Sequence, residues 1–268
     1  MERSLIALLC RTSDRTAEGA LGAEILARLA GESCGTEPRI VGSPGAAAAR
    51  DWSDDVRDSR GCILEAGGQV EDALGDGRVP ILFASDCSIC LTTLPTALAA
   101  RPEARVLWFD AHADFNSPDT TASGFLGGMC LAGACGVWDA GLGGTIDPGR
   151  VVLCGARDIE PGEQGLLDRA GVRVVPVSEA AVAQVRQALD GAPVYVHLDM
   201  DVLDPSEMPA QFPAPVGFTA VGLRSLIEAV LDDCELVGAE VTALEGASHV
   251  ETALDVIEPF LEAAHVRN

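Results

Sequence analysis

Two short acidic segments carry the chemistry this chain could perform. Asp110-Ala-His112-Ala-Asp114 follows the apolar run Arg105–Phe109, and Asp199-Met-Asp201 follows the apolar run Val194–Leu198. Residues two apart in an extended chain point to the same side. Asp199 therefore shares a face with Asp201, and Asp110 with His112 if the strand extends that far. Asp114 can rejoin them if the chain turns. Carboxylates brought this close cannot all stay ionised without positive charge beside them, and the chain has no lysine. Divalent cations would neutralise the cluster. Oxygen ligands with one imidazole suit Mn²⁺ or Mg²⁺, and the imidazole favours Mn²⁺. The plainer reading of such aspartates, as turn formers and caps, fits Asp204-Pro205 well and fits the clustered acids after the two strands poorly.

The elements that must position these residues are legible as alternation. Strand-like runs occur at Leu5–Cys10, Arg39–Gly42, Val79–Ala84, Arg105–Phe109, Val151–Cys154, Val172–Val177, Val194–Leu198 and Leu236–Val241. Helix-like stretches lie between many of them, among them Ala17–Ala30, Gly162–Ala170, Glu179–Leu189, Ala220–Leu231 and His249–Ala264. Strands that are apolar on both faces belong in a parallel sheet covered on both sides. The regular β–α alternation predicts one α/β domain with right-handed crossovers. A length of 268 residues accommodates that domain. In such sheets ligands bind beyond the carboxyl ends of the strands, which is where both acidic segments stand.

Composition narrows the partners. The formal net charge is −23 and aromatics are 4% of the chain, so neither a phosphate backbone nor stacked bases make a plausible ligand. All 18 basic residues are arginine, which removes Schiff-base and P-loop lysine chemistry. No apolar run approaches the ~20 residues of a membrane helix, and Leu5–Cys10 reads as a buried first strand of a cytoplasmic protein rather than as a secretory signal. The nine cysteines read as small buried hydrophobes in a reducing compartment. Cys87-x-x-Cys90 has redox or zinc spacing but lacks a second half-site. His197 precedes Asp199 on its strand and reads as a packed or hydrogen-bonded core residue.

The segments DAHADFNSP (Asp110–Pro118) and HLDMDVLDP (His197–Pro205) together resemble the ureohydrolase family of arginases and agmatinases. The resemblance implies a single three-layer domain over 1–268, built on a mainly parallel eight-stranded sheet. It also implies Mn²⁺ as cofactor and hydrolysis of a guanidino C–N bond. By motif position, Asp110, His112, Asp114, Asp199 and Asp201 match metal ligands. Asn116 and Ser123 match contacts to a substrate α-carboxylate, Asp158 and Glu160 match a segment near the α-amino group, and Glu240 matches the carboxylate facing the guanidinium. Asp114 is the implied proton relay. The expected partner is a small guanidino amino acid, with no nucleic acid or membrane, and the protein is a monomer or a homo-oligomer.

Two positions depart from the family pattern. Cys87, in Ala-Ser-Asp-Cys-Ser, stands where a metal-binding histidine is expected, and Gly127 stands where arginases carry a proton-shuttling histidine. A soft thiol at Cys87 predicts a weakened metal site and one or two bound ions. The combination is most similar to those family members that cleave Nω-hydroxy-L-arginine to L-ornithine and hydroxyurea in D-cycloserine biosynthesis. Arginase or agmatinase activity, and a catalytically inactive regulatory relative, are the alternatives.

Overall fold

The computed structural model describes residues 1–262. Eight strands form one sheet: β1 (Arg3–Leu8), β2 (Arg39–Val41), β3 (Val79–Ala84), β4 (Arg105–Phe109), β5 (Val151–Cys154), β6 (Arg173–Val175), β7 (Val194–Asp199) and β8 (Leu236–Thr242). Their order is β2-β1-β3-β8-β7-β4-β5-β6 and every pairing is parallel. All residues of β3, β7 and β8 are buried, as strands sandwiched between two helical layers must be.

Helices α1 (Glu18–Cys34), α6 (Ala181–Leu189), α7 (Ala220–Leu231) and α8 (Val250–Leu261) cover one face, where Leu26, Val185, Leu226 and Val256 join the inward residues of the strands. Helices α2 (Trp52–Gly75), α3 (Cys90–Ala100), α4 (Cys130–Ala134) and α5 (Pro161–Ala170) cover the other, with Ile63, Leu94, Leu131 and Leu167 packed on Trp108 and Leu153. Each of these side chains removes apolar surface worth about 1.5–3 kcal/mol when fully buried. Among the described residues no helix is long and apolar enough to cross a membrane.

Six of the expected strands start where the structure starts them, and β3, β4 and β5 match at both ends. The first does not: β1 runs from Arg3 to Leu8 and leaves Cys10 beyond it. That shift changes the reading of the cysteines, because Cys10 forms a disulfide with Cys62 of α2. The other seven are free, and all but Cys34 are buried. Helices α2 and α3 were not singled out by pattern. The start of α2 is strongly charged, and its Gly67 lies against Thr92 of α3, where an added Cβ would stand 2.9 Å from the Thr92 Cβ. Close approach of two backbones is what that glycine serves. The sequence of α3, CLTTLPTALAA, has no charged residue and is mostly buried, so it shows no amphipathic period. The expected end of the last helix at Ala264, and His265, lie outside the described residues.

Candidate active site

The carboxyl ends of β3, β4, β7 and β8 open into a cavity of about 360 Å³. Its floor is built by a local device used three times. Asp86 after β3 accepts from the Ser88 backbone N–H (2.9 Å), Asp110 after β4 accepts from that of His112 (2.7 Å), and Asp199 at the end of β7 accepts from that of Asp201 (2.7 Å). Each aspartate thus turns the chain sharply as its strand ends. The expectation that strand alternation aligns the acidic pairs is corrected here. β4 stops at Phe109, and Asp201 lies in a 3₁₀ turn, Met200–Val202, so convergence comes from the turns. Turn-forming and ligand-bearing are therefore not alternatives for these residues. Asp204, by contrast, is a turn former only: its carboxylate accepts from Ser206, Val216 and Gly217 backbone N–H groups at an exposed corner.

Two groups of converging donor atoms share Asp110. Cys87, Asp110, His197 and Asp199 present atoms within 4.8 Å of one another, and so do Asp110, His112 and Asp201. Burial, then Asp201, pushes the Asp199 carboxyl up to about 7. Burial, then Asp110, raises Asp201 and, with Asp110 again the nearest charge, raises Asp114 well above the usual range. Burial alone would discharge His112. Its hydrogen bonds to Asp110 and Asp201 (Nδ1 at 3.4 and 3.0 Å) win, and its pKa is pushed up to about 12. Asp114, Asp199 and Asp201 are thus all pushed toward their protonated forms by burial and by the charge of neighbouring carboxylates, with the His112 imidazole as the positive group beside them. Oxygen donors around a shared aspartate, with one imidazole in each group, His197 in the first and His112 in the second, fit a divalent cation.

Cys87 fits it less well. Burial, then Asp199 and Asp114, drives the thiol pKa far up, so the thiol is protonated and donates to Asp199 Oδ2 (2.8 Å). His197 is fully buried beneath the floor. Its ring stacks on Trp108 at 3.5 Å, and Nδ1 bonds Glu240 at 2.7 Å. Trp108 in turn donates to Asp110 (3.0 Å), so the stack braces the shared aspartate.

Of the other expected site residues, Asn116, Ser123, Asp158 and Glu160 line the cavity, as do Asp114 and the ligand candidates. Asp114 belongs to neither group of converging donors; its backbone has φ 50°, which aims the segment back over the cavity. Glu240 is the exception. It is 0% exposed and absent from the cavity wall; its carboxylate accepts from Thr93, Tyr195 (3.2 Å) and His197. The inward face of β8 takes it into the core. The wall carboxylate supplied by the exit of β8 is Glu245, raised by burial and bonded to Thr16 (2.7 Å).

Pattern also missed Arg15, Phe125, Phe212 and Glu163 on the wall. Glu163 had a signal, the Glu160-Pro-Gly-Glu163 capping box at the start of α5; it also accepts from Phe115 N–H (2.7 Å), and burial pushes its pKa up to about 7. Gly127 lies against Phe125: a Cβ there would stand 2.5 Å from the ring. The aromatic ring occupies the space a larger side chain at 127 would need.

The Arginase family profile matches residues 44–256. The chain belongs to the arginase family. Along 264 residues it is 38% identical to an Nω-hydroxy-L-arginine amidinohydrolase of Streptomyces lavendulae, covering 96% of each protein. It is 31% identical over 210 residues to an arginase of Eremothecium gossypii, a match spanning 70% of this chain and 52% of that one. Among solved structures, arginase from Bacillus subtilis superposes with a TM-score of 0.85 at 22% identity over 99% of both chains. As a member of the arginase family, the protein is an amidinohydrolase that acts on the C–N bond of a linear guanidino compound.

Proposed function

We propose that this arginase-family protein hydrolyses Nω-hydroxy-L-arginine to L-ornithine and hydroxyurea with Mn²⁺ as cofactor, in the cytoplasm and in the service of antibiotic (D-cycloserine) biosynthesis. One observation carries the substrate: the cavity wall holds a single imidazole among the described residues, His112, while Cys87 and Gly127 occupy the positions where arginases are expected to place two more. An N-hydroxyl group withdraws electrons from the guanidine, leaving it less basic and its carbon more electrophilic, so it demands less proton shuttling. The likeness to the Streptomyces lavendulae enzyme along 96% of both chains supports the same reading.

Asp110, Asp199 and Asp201 with His112 and His197 would hold the manganese, with Asp114 lining the same cavity and Cys87 as the weakest donor. When bound, a divalent ion lowers the pKa of water toward neutrality and so supplies hydroxide near pH 7. The residues of the chain do the rest. The acidic wall, Glu245 included, draws the cationic groups of the substrate into the cavity. As the hydroxide oxygen bonds to the carbon of the protonated guanidine, Asp114 takes the one proton that oxygen still carries, leaving it to become the carbonyl oxygen of hydroxyurea. Asp114 then delivers that proton to Nδ as the C–Nδ bond breaks, giving the amine of ornithine and hydroxyurea.

Steady-state kinetics on Nω-hydroxy-L-arginine, L-arginine, agmatine and guanidinobutyrate, with metal content measured on the same sample, test the proposal. The expected result is a kcat/KM for hydroxyarginine at least about 100-fold above that for arginine. Equal values for the two would refute it, and no turnover of any guanidine with added Mn²⁺ would identify a non-catalytic relative.

A further inference from the structure

The cavity wall is strongly acidic, yet an amino-acid substrate must place a carboxylate in it. Asn116 and Ser123 are neutral and already partnered: Asn116 donates to Glu160 (3.4 Å) and accepts from Thr120 (3.0 Å), and Ser123 Oγ accepts from the Phe125 N–H (3.2 Å). Neutral donors alone do not offset the field of the surrounding carboxylates at close range. The one full positive charge that arginine or lysine brings to the described wall is Arg15, four residues into the loop after Cys10 and Arg11.

Arg15 is fixed in place. Its guanidinium carbon stands 4.7 Å from the centre of the Phe125 ring, and Nη2 donates to the Ser123 carbonyl at 3.3 Å. Phe125 is itself backed by Phe212, 5.2 Å away. Stacking on an aromatic face and one carbonyl bond restrict the side chain without saturating its donors. Its Nε is buried and has no hydrogen-bond partner, which is costly unless something else uses it. A carboxylate beside Ser123 would meet that N–H and complete the fork geometry that guanidinium groups offer.

We infer that Arg15 receives the α-carboxylate of the substrate and is a specificity-determining residue, selecting guanidino amino acids over decarboxylated guanidines. The inference rests on the guanidino amino acid reading above and adds to it the group that enforces the choice. The bland alternative is that Arg15 only braces the loop from Asn116 to Phe125.

The two differ in what Arg15→Ala and Arg15→Lys do to paired ligands. For Nω-hydroxy-L-arginine, Arg15→Ala should raise KM by about 10- to 100-fold with kcat nearly unchanged, because the lost contact is remote from the reacting carbon. Arg15→Lys should recover part of the loss through charge alone. Calorimetric binding of L-ornithine and putrescine to the manganese-loaded protein provides a second reading, independent of turnover. Wild type should favour ornithine, and Arg15→Ala should lose that preference while binding putrescine as well as before. Equal losses for both ligands, a drop in kcat with reduced metal content, or no loss at all would overturn the inference. Failure of the hydroxyarginine reading shows separately, as absent turnover by wild type while the ornithine preference and its dependence on Arg15 persist.

Discussion

Glu240 offers the sharpest test of the geometry, because motif position and structure assign it different work. The motif places it against the substrate guanidinium. The structure buries it with three donors converging on its carboxylate: His197 on one oxygen, Thr93 and Tyr195 on the other. Glu240→Gln keeps the shape but turns one acceptor into a donor. Whichever way the amide faces, at least one buried donor is left unpaired, at about 1–3 kcal/mol each, so the substitution should cost roughly 2–4 kcal/mol. At roughly 2–4 °C per kcal/mol for a chain approaching this size, Tm should fall by about 5–15 °C. The KM for the guanidino substrate, measured on folded, manganese-loaded protein, should change less than about threefold, since no substrate contact is lost. Glu245→Gln should do the reverse, raising KM about tenfold with Tm within about 2 °C of wild type. Calorimetric unfolding and initial-rate kinetics on the two variants decide the matter. A Glu240→Gln protein of native Tm with a KM raised a hundredfold would show that Glu240 reaches the substrate and that the assignment to Glu245 is mistaken.

Metal-free protein should grow less stable as pH rises from about 4 to 7. Asp14, Asp199 and Glu163 have folded-state pKa values raised to about 6, 7 and 7. The folded state therefore binds more protons than the unfolded chain across that window, and its stability drops with increasing pH. Added Mn²⁺ should raise Tm more at pH 7.5 than at pH 5; a chelated protein whose Tm climbs between pH 5 and 7 would contradict the crowding of the floor. Asp114→Asn should lower kcat by about 10²- to 10⁴-fold at near-native Tm, because asparagine tolerates the left-handed backbone there but cannot relay a proton. Activity within a few-fold of wild type would remove Asp114 from the mechanism. Cys87→His should tighten manganese binding and raise the ion content per chain, read by elemental analysis and calorimetry. An unchanged stoichiometry and affinity would mean that the thiol costs the site nothing.

Sequence alone determined where the chemistry stands and which elements carry it. Runs of apolar residues on both faces can only be central parallel strands, so Val79–Ala84, Arg105–Phe109 and Val194–Leu198 were legible, and with them the strand ends where Asp110, His112, Asp199 and Asp201 cluster. That logic is local: a strand's period and the residue that follows it are properties of a few neighbouring positions. Helix α3 escaped it because a mostly buried helix without a charged residue has no polar face to reveal its period, and α2 because its start is strongly charged and its Gly67 answers to contact with α3 rather than to helix propensity. Only the tertiary structure decided which carboxylate faces the cavity. Glu240 and Glu245 lie five residues apart at one strand end, but the strand directs the first under the floor to His197 while the chain leaving the sheet brings the second to the wall. The same holds for Arg15, Phe125 and Phe212. They come from three separate loops that no short-range pattern relates, and they meet because a parallel sheet delivers every βα loop to the same edge.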